Sequence, residues 1–369
     1  MNKINWKGII GWGIATLVAG FIIYSNIQAQ KNLQNSGKKN VYAVLPLSGS
    51  IAKSGQEYQQ VLELYQKHNP QNNLNFIYVD SAFVPSQAVS ALQSKIVMEN
   101  RPLVVVTGTT IALAIQNIVD EKGGFILISG GAKPTNATKN NYWNFSSGNG
   151  LGMDKIANYI NKKYKKIAMF YPNSDYGILT YNRLKQQLNK DVELVFKESF
   201  DTSISDVRTL ILKALQNNPE SIVITGPANQ NFINLFRVLR ELDYKGEIIG
   251  DLTFNQPAVL TALDKKAEGI TFLTLDPLLS QPRTKQGNEF KKLFNQENIT
   301  PSFAHVEAYN MALFLEALVK YDNISQQDIV NMKSLETSSG KVDFLPGGDS
   351  KFEYVLATFK DDKIVPVEE

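Results

Sequence analysis

The sequence contains no cysteine. That excludes disulfides, thiolate metal sites, a cysteine nucleophile and a lipidated N-terminal cysteine. Histidine is almost as scarce: His68 and His305 are the only two, and they lie far apart in the chain, which argues against a zinc site or a histidine-based triad. No excess of one charge exists, because 38 basic residues meet 35 acidic ones for a net charge of +3. A nucleic-acid partner is therefore not expected, and the basic run Asn161–Lys166 reads as a solvated helix end. Phosphate loops of the form GxxxxGK[ST] and nucleophile elbows of the form GxSxG are absent. Gly148, Gly150 and Gly152 follow GxGxG spacing rather than GxGxxG, and read as a loop crossing between two lobes. These absences lead away from an enzyme, from a metal and from a cofactor.

What remains is a chain of 369 residues with 43% apolar content, enough for about two domains with their own cores. It begins with a charge-free stretch, Ile9–Tyr24, preceded by Lys3 and Lys7. A basic start and an apolar run mark either an export signal cut near Ala29 or a retained membrane anchor. Residues 1–27 form this signal or anchor segment, and residues 28–40 (QAQKNLQNSGKKN) read as a polar tether. The body of the protein is then expected outside the cytoplasmic membrane, in the periplasm or its equivalent.

After Asn40, short apolar runs alternate with amphipathic stretches. Val41–Leu45, Asn75–Val79, Leu103–Val106 and Phe125–Ile128 read as buried strands, separated by helices over Gln56–Lys67, Ser86–Glu99 and Thr110–Asp120. The pattern recurs downstream. Val41 answers to Ile167, Gly55 to Gly177, Asp80 to Asp201, and Thr107-Gly108 to Thr225-Gly226, at offsets of 118 to 126 residues. Matched points in order predict two similarly wound α/β lobes, each a doubly wound parallel sheet, joined by a hinge. Residues 41–147 plus 276–339 are assigned to the first lobe, and 148–275 plus 340–369 to the second. Within these, Gly269–Leu275 reads as a strand, Ala304–Tyr321 as a helix, and Gly340–Phe344 and Lys351–Phe359 as two closing strands.

Ligands of open α/β sheets bind outside the carboxyl ends of the strands. Both lobes place polar, glycine-rich loops there, and two lobes facing each other through them enclose a cleft suited to a small molecule. Ser48, Gly49, Ser54, Thr109, Thr110 and Ser129 offer hydroxyl and amide donors at strand ends and helix starts, which favours a carboxylate. From the second lobe Tyr176 can cover an apolar ligand body and Asp251 can pair with an ammonium. His68 reads as a charge at a helix C-terminus and His305 as structural.

These segments resemble the type I periplasmic solute-binding proteins of ABC transporters, specifically the branched-chain amino-acid-binding (Leu/Ile/Val) group. VLPLSGSIAKSGQEYQQVLELY is similar to that family's first strand, loop and helix, and KKIAMFYPNSDYG to the start of its second lobe. AHVEAYNMALFLEAL followed by SGKVDF and PGGDS is similar to its C-terminal pattern. The resemblance implies a receptor that closes over one small polar ligand, an amino acid or related compound, and delivers it to a membrane permease. It further implies ligand contacts at Ser54, Thr109, Thr110, Ser129, Gly131, Lys133 and Tyr176, with Asp251 near the ammonium-binding position. A ligand-sensing ectodomain that signals through a membrane partner is the alternative.

Overall fold

The computed structural model describes residues 37–131, 140–148, 150–201, 206–321 and 323–367. The expected signal or anchor segment and most of the tether lie outside the described residues. No helix among the described residues is long and apolar enough to cross a membrane.

The first lobe opens with β1 (Lys39–Leu45), α1 (Ala52–His68), β2 (Leu74–Asp80), α2 (Pro85–Lys95), β3 (Leu103–Thr107), α3 (Thr109–Asp120), β4 (Phe125–Ser129) and β5 (Tyr142–Asn144). All five strands are parallel, in the spatial order β2-β1-β3-β4-β5. Alternation along β1 explains the two-sided burial. Val41, Ala43 and Leu45 enter the core beneath α1, while Tyr42 and Val44 enter the one beneath α2 and α3.

The second lobe repeats this course with α4 (Gly152–Lys163), β6 (Lys166–Pro172), α5 (Asp175–Gln187), β7 (Glu193–Phe200), α6 (Val207–Leu215), β8 (Ser221–Ile224), α7 (Gln230–Glu241), β9 (Glu247–Gly250), α8 (Pro257–Leu263) and β10 (Thr271–Thr274). Its parallel strands run β7-β6-β8-β9-β10, the same winding as the first lobe. The repeat read from the sequence is thus a repeat of topology.

The chain then returns to the first lobe through α9 (Lys285–Gln296), α10 (Phe303–Leu318), α11 (Gln326–Asn331), β11 (Ser334–Thr337), β12 (Gly340–Leu345) and β13 (Asp349–Lys351). α10 is buried along most of its length and packs on α1. Finally β14 (Val355–Lys360) and β15 (Lys363–Pro366) add an antiparallel edge to the second sheet.

Two expectations for the C-terminus need correction. Residues 340–351 were assigned to the second lobe, yet β12 and β13 belong to the first sheet. Likewise Lys351–Phe359 is not one strand. It is interrupted at residues 352–354, where the chain crosses from the first sheet to the second. Continuous β propensity cannot reveal that change of partner, because propensity reports a pleated surface and not which neighbour supplies it.

Among the described residues the chain passes between the lobes three times: after β5, after β10 and between β13 and β14. The Tyr354 hydroxyl of the last crossing donates to the Ser147 carbonyl of the first at 2.8 Å. The glycine cluster around Gly148 lies on the first crossing, joining β5 to α4.

Candidate functional site

In both lobes the first βα loop turns on a glycine packed against a proline carbonyl. A Cβ on Gly55 would meet the Pro46 oxygen at 2.2 Å, and one on Gly177 would meet the Pro172 oxygen at 1.9 Å. This close approach brings the first turns of α1 and α5 down onto the ends of their strands. A cavity of about 310 Å³ lies between them, at the carboxyl ends of both sheets. That volume is at the lower end of small-molecule sites.

From the first lobe Ser54, Thr109, Thr110 and Gly131 line it, and from the second Tyr176 does. The two lobes differ in how their helices begin. α5 and α7 are capped by their own Ser174 and Asn229, which accept from the amides of Gly177 and Phe232. α1 and α3 have no side-chain cap, and residues of their first turns line the cavity. Gly108, at φ +91°, provides the sharp turn into α3 that a side chain would oppose.

Three expected contacts are placed otherwise. Ser48 is absent from the cavity wall; its hydroxyl donates to Asp80 at 2.6 Å, and its amide to the same carboxylate. Ser129 is fully buried and donates to Glu307 at 3.2 Å. Asp251 stands behind the wall, where it accepts from the Tyr176 hydroxyl (2.9 Å), the Gly226 amide (3.0 Å) and the Thr253 amide (2.9 Å). Its role here is to cap a turn and hold Tyr176, in place of an open ammonium contact. Burial raises its carboxyl to about 6, against the opposing pull of the Gly226, Tyr176 and Thr253 donors. Lys133 lies outside the described residues.

Sequence reasoning passed over Glu307, Lys53, Glu57, Tyr58, Phe83 and Phe303, which also line the cavity. Glu307 sits in the second turn of α10, 3% exposed. Its Oε1 accepts from the Ser147 amide at 2.8 Å and from the Ser147 hydroxyl, and its Oε2 from Gly130 and Ser129. One carboxylate thus ties the loop after β4 to the first crossing. Burial raises its pKa above the ordinary carboxylate range, while those four donors oppose the rise. A charge on the core face of an otherwise apolar helix, FAHVEAYNMALFLEAL, was the signal available in the sequence.

His305 completes a capping box at the start of α10: its Nδ1 accepts from the Ser302 amide at 2.9 Å. Burial, reinforced by the Lys53 charge, lowers its imidazolium to about 4, so the ring is neutral. His68 ends α1 and pairs with Glu297 at 2.7 Å. Among the described residues, no group of three or more His, Cys, Asp or Glu is placed to hold a metal ion.

The loops, winding and triple crossing just described match a known family. A model described as periplasmic binding protein matches residues 41–350. The chain belongs to that family. Solved structures agree on the fold. The leucine binding protein of Thermotoga maritima aligns with a TM-score of 0.75 at 17% identity, covering 89% of this chain and 98% of that one. The branched-chain amino acid transporter substrate binding protein of Streptococcus pneumoniae, in complex with isoleucine, gives 0.75 at 16% identity, covering 89% and 97%. An ABC transporter solute binding protein of Rhodopseudomonas palustris, in complex with 3,4-dihydroxybenzoic acid, gives 0.75 at 20% identity, covering 90% and 96%. Among curated proteins none matches the chain in sequence.

Proposed function

We propose that the protein is an extracytoplasmic solute receptor that closes over one small carboxylate-bearing molecule and delivers it to an ABC transporter permease. The observation that carries this reading is the cavity itself: both lobes line it, at the carboxyl ends of two sheets joined by three crossings. Lobes joined by such crossings move as bodies about a hinge, so a ligand touching both holds them together.

The carboxylate is assigned to the first lobe, where α1 and α3 begin without side-chain caps and Ser54, Thr109, Thr110 and Gly131 line the wall. Tyr176 closes over the ligand body from the second lobe, held by Asp251. Support for the cargo class comes from relatives of the same fold, of which one is in complex with isoleucine and another with a dihydroxybenzoic acid. The N-terminal apolar segment fits export, with cleavage or retention as an anchor both compatible with this role.

A thermal-shift screen of the purified full-length chain against amino acids and aromatic acids tests the receptor reading. A ligand at 100 times its dissociation constant adds about 2.7 kcal/mol, a rise of several degrees. A flat response to every amino and aromatic acid would sink the assignment.

A further inference from the structure

The loop after β2 carries a feature that the receptor reading does not use. Ala82 and Phe83 both lie in the left-handed region, at φ +44° and +59°. Two consecutive side-chain-bearing residues there are strained, and strain persists only where the surroundings over-determine it. Here the over-determination is visible. Asp80 accepts from the Leu47 amide (2.9 Å), the Ser48 amide (3.2 Å), the Ser48 hydroxyl (2.6 Å) and the Ala82 amide (2.8 Å). Burial pushes its carboxyl upward, but these donors outweigh it and hold the group below the usual range. The Phe83 amide in turn donates to the Ser81 hydroxyl at 3.2 Å, and Gly49 leaves room for the Ala82 carbonyl, which a Cβ would meet at 2.8 Å.

The outcome of this knitting is one side chain. Phe83 is 40% exposed, lines the cavity, and presses its ring on the turn into α3, where a Cβ on Gly108 would meet its Cε2 at 2.7 Å. An aromatic ring this exposed loses hydrophobic stabilisation, and its backbone adds strain, so neither term explains its position by stability of the lobe. Close by, the buried hydroxyl of Thr107, a residue of the cavity wall, has no hydrogen-bond partner among the described residues.

We propose that Phe83 contacts the cargo and selects a carboxylic acid with a ring, and that the Asp80–Ser48 clamp positions it. This rests on the receptor reading. The ring of Phe83 stands beside the proposed carboxylate corner at the start of α3, so a flat body attached directly to a carboxylate stacks on it. A methyl-sized body does not reach. Ser48 thereby acts on the ligand through Asp80 and Phe83, and Asp80 is a positioning residue.

The test is calorimetric titration of the full-length chain with two matched pairs, benzoate against acetate and phenylalanine against alanine. The wild type is expected to favour the ring-bearing member of at least one pair by tenfold or more. Phe83→Ala should cut that preference by about tenfold with the thermal midpoint little changed, because the ring is 40% exposed and Ala keeps the same backbone. Asp80→Asn should weaken ring binding as well, and in the double variant the two losses should not add, since both act through one ring. Wild-type binding of the ring compounds that survives Phe83→Ala at full strength overturns the role of Phe83 and leaves the receptor standing. Additive losses overturn the positioning role of Asp80. Absence of wild-type binding to any of the four, together with a flat thermal-shift screen, overturns the receptor reading and this inference with it.

Discussion

The two lobes share a winding and a first-loop glycine, yet they face the cavity with opposite equipment. In the second lobe the starts of α5 and α7 are closed by Ser174 and Asn229, and Asp251 is engaged by three donors. In the first, α1 and α3 carry no side-chain cap, and the polar groups of the loops are arranged to hold other things in place, Glu307 gripping the crossing and Asp80 gripping the strained turn. A duplicated scaffold has thus been divided between a half that offers donors and a half that covers. Topology is what the lobes have in common, whereas capping residues, a few positions in each loop, set them apart.

The largest effect is expected where the lobes are alike. Gly55→Ala and Gly177→Ala both drive a Cβ into a proline carbonyl, and each should cost about 1–3 kcal/mol or more by overpacking. Thermal denaturation of the two variants should give similar drops of several degrees. Tolerance of one and not the other would break the equivalence of the first loops.

Next comes Glu307→Gln, which replaces two of four accepted hydrogen bonds with a donor facing donors. A loss of about 1–3 kcal/mol is expected, read by denaturant unfolding, together with weaker ligand binding because the crossing is released. If stability is unchanged, the carboxylate is not the tie between the loop and the hinge.

Proton linkage separates the lobes more finely. Asp251 has a folded value of about 6, above the ordinary carboxylate. Its contribution is therefore complete below about pH 4 and lost as pH rises to 6. His305 has a folded value of about 4, below the ordinary imidazole, so its contribution is present above about pH 6.5 and lost as pH falls toward 4. The two slopes oppose each other in the same window, each worth on the order of 3 kcal/mol at most. Midpoints measured from pH 4 to 7 should therefore rise with pH in Asp251→Asn, and fall with pH in His305→Gln, relative to the wild type. Parallel curves for all three would remove both assignments.

The smallest changes sharpen the division of labour. Thr110→Val should weaken ligand binding by about 1–3 kcal/mol, by leaving a ligand oxygen without its donor, while barely moving stability. Ser174→Ala should do the reverse, costing about 1 kcal/mol of stability through the lost cap with affinity nearly kept. Titration and melting of the same two proteins decide it, and an exchange of these effects would reverse the roles given to the lobes.

Much of this architecture was legible beforehand. Apolar runs of four or five residues, alternating with helical periodicity, located β1 to β4 and α1 to α3 closely, since a strand buried on both faces has few sequences open to it. The glycine pair Gly55 and Gly177 was visible as a match, and its cause, the approach to Pro46 and Pro172, is the same in both lobes. Among the candidate site residues Ser54, Thr109, Thr110, Gly131 and Tyr176 come together at one cavity. Ser48, Ser129 and Asp251 lie in loops beside that cavity, but they turn toward Asp80, Glu307 and Tyr176. A hydroxyl or carboxylate at a strand end can serve a ligand or the loop itself, and the choice depends on donors from distant segments.

The sequence by itself determined two parallel α/β lobes, their winding and the end of each sheet that faces a ligand, because these follow from local periodicity and loop composition. Only the tertiary structure decided that residues 340–351 complete the first sheet, that Glu307 reaches the crossing 160 positions away, and that Asp80 holds Phe83 in a strained turn beside the cavity. Each of those depends on which distant groups meet, and a single strand or helix carries no record of its partner.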